Sequence, residues 1–301
     1  MTKIATLVHF LARKLADQWL MPYLLGAVAT IIISFALVSI WTRLRSGRWI
    51  YSADLPADTA YAIFYLGGFY TFFIGAPIFR GLTTLVTRFV PWLRLNLLAH
   101  ANIYFWYLIL WLAMDLVGYW WHRMVHGVPW LWEFHRIHHS ETMITPLTNY
   151  RFHFVDLALR STLQMLPALI LGVPVGVWLA AAWFEIAIDS LAHADLDWSY
   201  GPIGWFLINP AFHRIHHSRE PRHFDRNFSL SFSVWDRIFG TAYAGGDAPA
   251  VYGIDGPMPR SFFRQFYFPF VVLVHKLVRS AEAEPAVNKP SSGADPAQAI
   301  R

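Results

Sequence analysis

The hexapeptide HRIHHS occurs twice in this chain, at residues 135–140 and again at 213–218. An identical six-residue repeat does not arise by chance at this density of histidine. Each copy places imidazoles at i, i+3 and i+4: His135, His138 and His139 in the first, His213, His216 and His217 in the second. A further pair, His122 and His126, lies just upstream at i, i+4, and ten of the fourteen histidines fall between His122 and His217. Clustered imidazoles at fixed spacing are metal-ligand chemistry. On a helix each triplet puts three rings on one side, a half-shell for an ion. Two half-shells and the upstream pair offer eight ligands, more than one ion uses and enough for two.

Other polar residues share these helical faces. With the stretch before His122 read as helix, Asp115, Tyr119, His122 and His126 line one side. A carboxylate inside an apolar span is costly unless paired. Asp115 is therefore read as accepting the outer ring N–H of a ligating histidine, against the plainer reading of an aspartate bonded to a neighbouring Tyr or Trp. Glu185, Asp189 and His193 recur at i, i+4, i+8 on an otherwise apolar stretch and must point inward. His193 is read as a ligand and Asp189 as its hydrogen-bond support. Glu185 is divided between a structural hydrogen bond and the site. His153, beside Arg151, is a candidate ligand or supporting group. His9, His100, His223 and His275 are isolated and read as surface or interfacial.

The chain has no cysteine, so any metal is held by nitrogen or oxygen. All-imidazole sites suit Zn, Cu, Fe or Ni, and affinity alone does not choose among them. A zinc-protease reading fails in detail: HEXXH needs a glutamate after its first histidine, and Arg123 stands there. Two irons with open positions can activate dioxygen and attack the unactivated C–H bonds of a lipid.

The elements that must position these residues are apolar. Hydrophobic residues make up 56% of the 301, aromatics 17% and charged residues 14%, with positive mean hydropathy. Soluble domains carry about 25% charge, so the balance points to a membrane protein. The net charge of +5, with arginines beside apolar stretches, suits anionic headgroups rather than nucleic acid. No signal-peptide pattern is visible, and the first apolar run is read as an anchor. Residues 4–20 read as an amphipathic helix. Spans are expected at 22–41, 60–79 and 102–121, each near the ~20 residues a bilayer core requires. Residues 81–98 read as interfacial. Residues 161–196 form two apolar stretches divided by breakers at 172–176, a hairpin that returns the chain to the side where His122 emerges. Residues 262–279 read as interfacial or packed on the core. From 280 onward the composition predicts a disordered tail. The expected architecture is an all-α membrane bundle of about four to five membrane-embedded spans with a histidine-rich cap. Its units are an anchor region at 1–100, a catalytic core at 101–245, an interfacial segment at 246–279 and the tail at 280–301.

Six segments in order, DLVGYWWHRMVH (115–126), LWEFHRIHHS (131–140), TNYRFHFVD (148–156), HAD (193–195), NPAFHRIHHS (209–218) and DRNFSLSFSVWDRIFGT (225–241), closely resemble the fatty acid hydroxylase superfamily, also called the sterol desaturase family. The resemblance implies a non-haem di-iron site, dioxygen as oxidant and a helical membrane fold with the site on the cytosolic side. It also implies ligand roles for His122, His126, His135, His138, His139, His193, His213, His216 and His217. The chain departs from the common pattern at His153-Phe154, where many members have His-Pro, and at Asn227-Phe228-Ser229, where many have Gly third. Asp189 stands where some members carry a further histidine. No fused cytochrome b5 domain or Gly-rich nucleotide fingerprint is visible. The expected electron donor is therefore a separate protein of cytochrome b5, ferredoxin or reductase type.

The sequence thus reads as a multi-pass membrane oxidase of a bacterial inner membrane or an ER-type membrane. It is expected to hydroxylate a lipid C–H bond with two iron ions, for which zinc can substitute on purification. Desaturation at the same site is the near alternative. A metal transporter would carry its ligands near the bilayer midplane, whereas these histidines sit at span ends. A zinc-dependent lipid hydrolase would consume no dioxygen.

Overall fold

The computed structural model describes residues 20–46, 52–94, 102–173, 175–243, 245, 249 and 251–283. The amphipathic helix expected at 4–20 lies almost wholly outside them, as do His9 and His100. Among the described residues every regular element is helical, and the only strand-like pairing is a bridge between Ser218 and Tyr252.

The long helices are α1 (Leu20–Ser46), α4 (Ile103–Gly127), α6 (Phe154–Leu171), α7 (Val175–Ala192) and α10 (Phe262–Ala283). Shorter ones are α2 (Leu55–Leu66), α3 (Ala76–Phe89), α5 (Pro129–His135), α8 (Pro210–His216) and α9 (Val234–Ile238). Local signals set their ends. Asn102 caps α4 by accepting from Tyr104 N at 2.9 Å, and extended Val128 before Pro129 ends it. Asn209 caps α8 with Pro210 in its first turn. Gly172, at φ 72°, closes α6 in the left-handed conformation and starts the hairpin into α7.

Helix α4 packs against both arms of that hairpin, and α1 runs along α7. Leu110, Met114, Ala168, Val177 and Ala181 form the shared apolar core. Gly118 lets the layers close: a Cβ there would sit 2.5 Å from Leu230 and 3.0 Å from Gln164. The hairpin returns His193 to the end of α4 that carries His122 and His126. The turn 138–140 and α8 complete that end of the bundle.

By length and hydropathy one helix among the described residues, Phe154–Leu171, suffices to cross a membrane. The stretch 60–79, read as one span, is instead divided. Helix α2 stops at Leu66, the chain turns at Gly67 and Gly68, and it resumes through a π-helical turn, Thr71–Gly75, into α3. Paired glycines supply no side chain to hold a helix together. Helix α10 packs on α2 and α5 along one face and exposes Tyr267, Val271 and Val274. It continues through 280–283, the first residues of the expected tail; the rest of that tail lies outside the described residues.

Candidate metal centre

Nine histidines converge in two groups. His122, His126, His135, His139 and His216 form one; His138, His193, His213 and His217 form the other. Within each group one ring nitrogen per residue lies within 4.8 Å of all the others. The two HRIHHS copies are shared between groups rather than assigned one to each. The first copy gives its i and i+4 rings to the five-membered group and its i+3 ring to the four-membered one; the second does the reverse. Helical geometry explains the split in α8. Positions i and i+4 stand ~40° apart about the axis, while i+3 lies ~60° to the other side of i. In the first copy α5 ends at His135, and a 3₁₀ turn carries His138 and His139.

Hydrogen bonds fix which nitrogen faces inward. His122 Nδ1 bonds Phe228 O at 2.7 Å, His216 Nδ1 bonds Arg226 O at 2.7 Å, and His135 Nδ1 bonds Asp156 Oδ2 at 2.8 Å. In each ring that contact uses the N–H, which leaves Nε2 with a lone pair. Those three Nε2 atoms are buried and have no hydrogen-bond partner. Three orphaned lone pairs in one buried group are what a cation would satisfy. In the second group His193 Nδ1 bonds Asp189 O at 2.7 Å. Its Nε2 lies 3.2 Å from His138 Nε2 and 3.0 Å from His213 Nε2, which is 3.1 Å from His217 Nε2. An ion bound at about 2.1 Å keeps its donors within about 4.2 Å of one another, and these separations fit. Burial, reinforced by neighbouring imidazoles, holds His138, His139, His213 and His217 well below the usual imidazole range; burial takes His216 down to about 3. The rings are thus neutral at physiological pH, as ligation requires.

Among the supporting residues, Asp115 and His153 are engaged elsewhere than the sequence reading had them, whereas Glu185 and Asp189 stay within it. Asp115 touches no histidine. It accepts from Ser231 N at 2.7 Å, Phe232 N at 3.0 Å and Trp235 Nε1 at 2.8 Å. It holds the segment whose Phe228 carbonyl orients His122, and Asp236 grips the same segment through Phe228 N and Ser229 N. Asn227 at φ 59° is locked by its amide donating to Phe212 O and Tyr243 O. His153 is spent elsewhere: Nδ1 accepts from Val155 N to cap α6, and Nε2 bonds Phe266 O of α10. Glu185 accepts both Gln164 contacts, at 3.0 and 3.1 Å. Asp189 supports His193 through its backbone carbonyl, with Oδ1 3.4 Å from the same nitrogen. His223, read as surface, is buried and bonds Ser218 Oγ at 2.8 Å; His275 is exposed.

Three groups escaped the sequence reading. Asp156 accepts from His135 and, at 2.8 Å, from Trp121 Nε1. Asp236 is the second. The third is buried Arg151, which bonds Asp58 Oδ1 at 2.8 Å and Ser140 Oγ at 3.2 Å, with Glu141 at 3.5 Å. It ties the 138–140 turn to α2. Nothing in local spacing marks these residues, since each partner lies far away in sequence or outside any helical repeat.

The buried, all-imidazole arrangement in two groups is a candidate metal centre. Residues 106–241, which contain all nine histidines, match the family model described as Fatty acid hydroxylase. The chain is 31% identical over 150 residues to ornithine lipid hydroxylase OlsE of Rhizobium tropici, covering 50% of this chain and 45% of that one. It is 31% identical over 147 residues to alkylglycerol monooxygenase of Xenopus tropicalis, covering 49% and 32%. Over 143 residues it is 28% identical to human cholesterol 25-hydroxylase, covering 43% and 48%. The chain thus spans less than half the length of these relatives, all of them named as oxidoreductases. No solved structure matches.

Proposed function

We propose that this chain is a membrane-bound oxidoreductase that hydroxylates a C–H bond of a lipid. The observation that carries the reading is the convergence of nine buried or half-buried histidines into two groups, with three buried Nε2 atoms left unpartnered. In this reading the five-histidine group and the four-histidine group each hold one iron, and the pair supplies dioxygen activation when bound. The relatives' printed names, two lipid hydroxylases and a monooxygenase, support a lipid substrate.

The overall change is substrate C–H plus dioxygen, two electrons and two protons, giving C–OH and water. The electrons come from a separate one-electron redox protein. The chain's own residues keep the site ready. Asp156 and the carbonyls of Phe228, Arg226 and Asp189 take the outer ring protons, so every inward nitrogen of those rings stays a lone-pair donor. Trp121, Phe152 and Leu230 wall the cavity beside the groups and limit water. Helices α1, α4, α6 and α7 embed the protein, and the histidine end faces the cytosol. Catalysis resides in residues 101–245.

Mass spectrometry of lipids from cells with and without the intact gene tests the reading. A lipid that gains one oxygen supports it. Loss of two hydrogens instead assigns desaturation at the same site. Metal flux without lipid change, or lipid cleavage without dioxygen uptake, contradicts it.

A further inference from the structure

Helix α10 carries an apolar stripe that nothing among the described residues covers. Phe263, Tyr267, Val271, Val274, Leu277 and Val278 recur at helical spacing and fall within an arc of about 120° around its axis. Each is between 44% and 77% exposed. Another side of the helix is fastened to the protein. His153 Nε2 donates to Phe266 O at 2.9 Å, Lys276 Nζ donates to Glu133 Oε1 at 2.6 Å, and buried Gln265 donates to Pro259 O at 2.6 Å. The helix is thus held in place with its stripe facing outward.

Charge narrows what can cover the stripe. Residues 256–281 hold four cations, Arg260, Arg264, Lys276 and Arg279, and no Asp or Glu. Glu133 takes Lys276. Arg264 and Arg279 are exposed and lie just beyond one edge of the stripe. A second copy of the helix would bring like charges together. Residues 1–19 carry Lys3, Arg13 and Lys14 against Asp17 alone, and residues 284–301 offer only Val287 and Ile300 as large apolar groups. An anionic surface with hydrocarbon beneath it matches both the stripe and its flank. The neighbourhood agrees. A row of rings, Phe262, Phe64, Phe69 and Phe73, leads away from α10 at successive centroid distances of 5.9, 6.4 and 6.2 Å, and Phe69 and Phe73 are exposed.

We propose, resting on the membrane-bound reading above, that α10 lies in the plane of an anionic phospholipid surface. Its stripe enters the upper hydrocarbon, and Arg264 and Arg279 meet the headgroups. The helix does not cross the bilayer, because α2 and α5 occupy one of its sides and three cations interrupt it. Through His153 and Glu133 it is tied to the start of α6 and to α5, which carries His135. Docking of α10 therefore holds the histidine end at headgroup level.

The lack of cysteine makes the test direct, since one introduced thiol carries the only label. The full chain with Val274→Cys, bearing an environment-sensitive fluorophore, is reconstituted into phosphatidylcholine vesicles with and without phosphatidylglycerol. Nitroxides on the upper acyl chain or at the bilayer centre report depth. The proposal expects the shallow nitroxide to quench more strongly than the deep one, and more so when phosphatidylglycerol is present. Each arginine near such a surface biases docking about fivefold, so Arg264→Gln with Arg279→Gln in the labelled chain should remove that difference. Quenching by aqueous iodide alone, strongest quenching at the bilayer centre, or a label shielded from every quencher by a second copy each overturns the proposal. So does shallow quenching that is equal in the two compositions. All four outcomes leave the oxidase reading standing, whereas a chain that incorporates into neither vesicle overturns its membrane-bound part as well.

Discussion

The two HRIHHS copies are identical in sequence and different in structure. The first straddles the end of α5 and a 3₁₀ turn; the second lies on α8 and the residue after it. Each gives two rings to one group and one to the other, with the roles exchanged. The repeat therefore does not build two independent sites. It laces two sites together, each drawing rings from both copies. What distinguishes the groups is their support. In the five-histidine group, three Nδ1 atoms are anchored, to Phe228 O, Arg226 O and Asp156. In the four-histidine group only His193 is anchored in this way, and His138 and His213 have unpartnered Nδ1 atoms. One group is held by its surroundings, and the other has one ligand fewer and fewer anchors.

Removing a ring from either copy is the severest way to probe this lacing. His216→Ala and His213→Ala should each fall below about 1% of wild-type turnover, beyond the loss of ~10–100-fold typical of an outer partner. His275→Ala, on the exposed side of α10, should match wild type. Near-normal turnover in His216→Ala with full metal content would undo the paired reading.

Loss of an anchor should be milder and confined to the anchored group. Asp156→Asn leaves His135 and Trp121 without their carboxylate, and metal affinity or activity should drop about 10–100-fold. Chelator-release kinetics should show one faster phase, with the second ion retained. Equal acceleration of both phases would erase the distinction between the groups.

Asp115 should matter less to the metals than to stability. Asp115→Ala strands two backbone amides and an indole N–H, at about 1–3 kcal/mol for an unmet buried group. Thermal unfolding should shift down, while turnover per bound metal should fall by less than about tenfold. A larger loss of metal-normalised turnover than in Asp156→Asn would return Asp115 to the histidines.

Acid should expose the imidazoles' burial most gently. The folded-state values of His138, His139, His213, His216 and His217 are depressed below the ordinary 6.5. Below pH 6.5 the unfolded chain takes up protons that the folded one refuses, so stability of the metal-free protein falls as pH drops towards the depressed values. Its melting temperature should be level from these groups above about 6.5 and decline below. A melting temperature that rose on acidification through that window would contradict buried neutral rings.

The ligand candidates were legible because metal binding needs repeated residue types at close spacing, and HRIHHS advertises both. The hairpin was legible from its breakers, since Gly172 can take the left-handed turn that ends α6. What carried no mark was pairing across the fold. Asp156 is a single aspartate on an apolar helix; only packing of α6 against α4 and α5 brings it to Trp121 and His135. Asp115 was recognisable as a buried carboxylate needing partners. Its helical face suggested histidines, and the chain instead brings the 231–235 segment over it. His153 carries its residue type without the geometry, because the cap of α6 and the carbonyl of Phe266 use both nitrogens. The 60–79 stretch showed hydropathy but concealed a break, because an average over a window does not register where two glycines fall.

The central claim is that two interleaved histidine groups hold two ions. Elemental analysis of the purified, folded chain measures it directly. The account predicts a content approaching two metals per chain, as iron or with zinc in its place, since Zn²⁺ binds nitrogen sites at least as tightly as Fe²⁺. A preparation that turns over its lipid at full rate with a single metal per chain would contradict it.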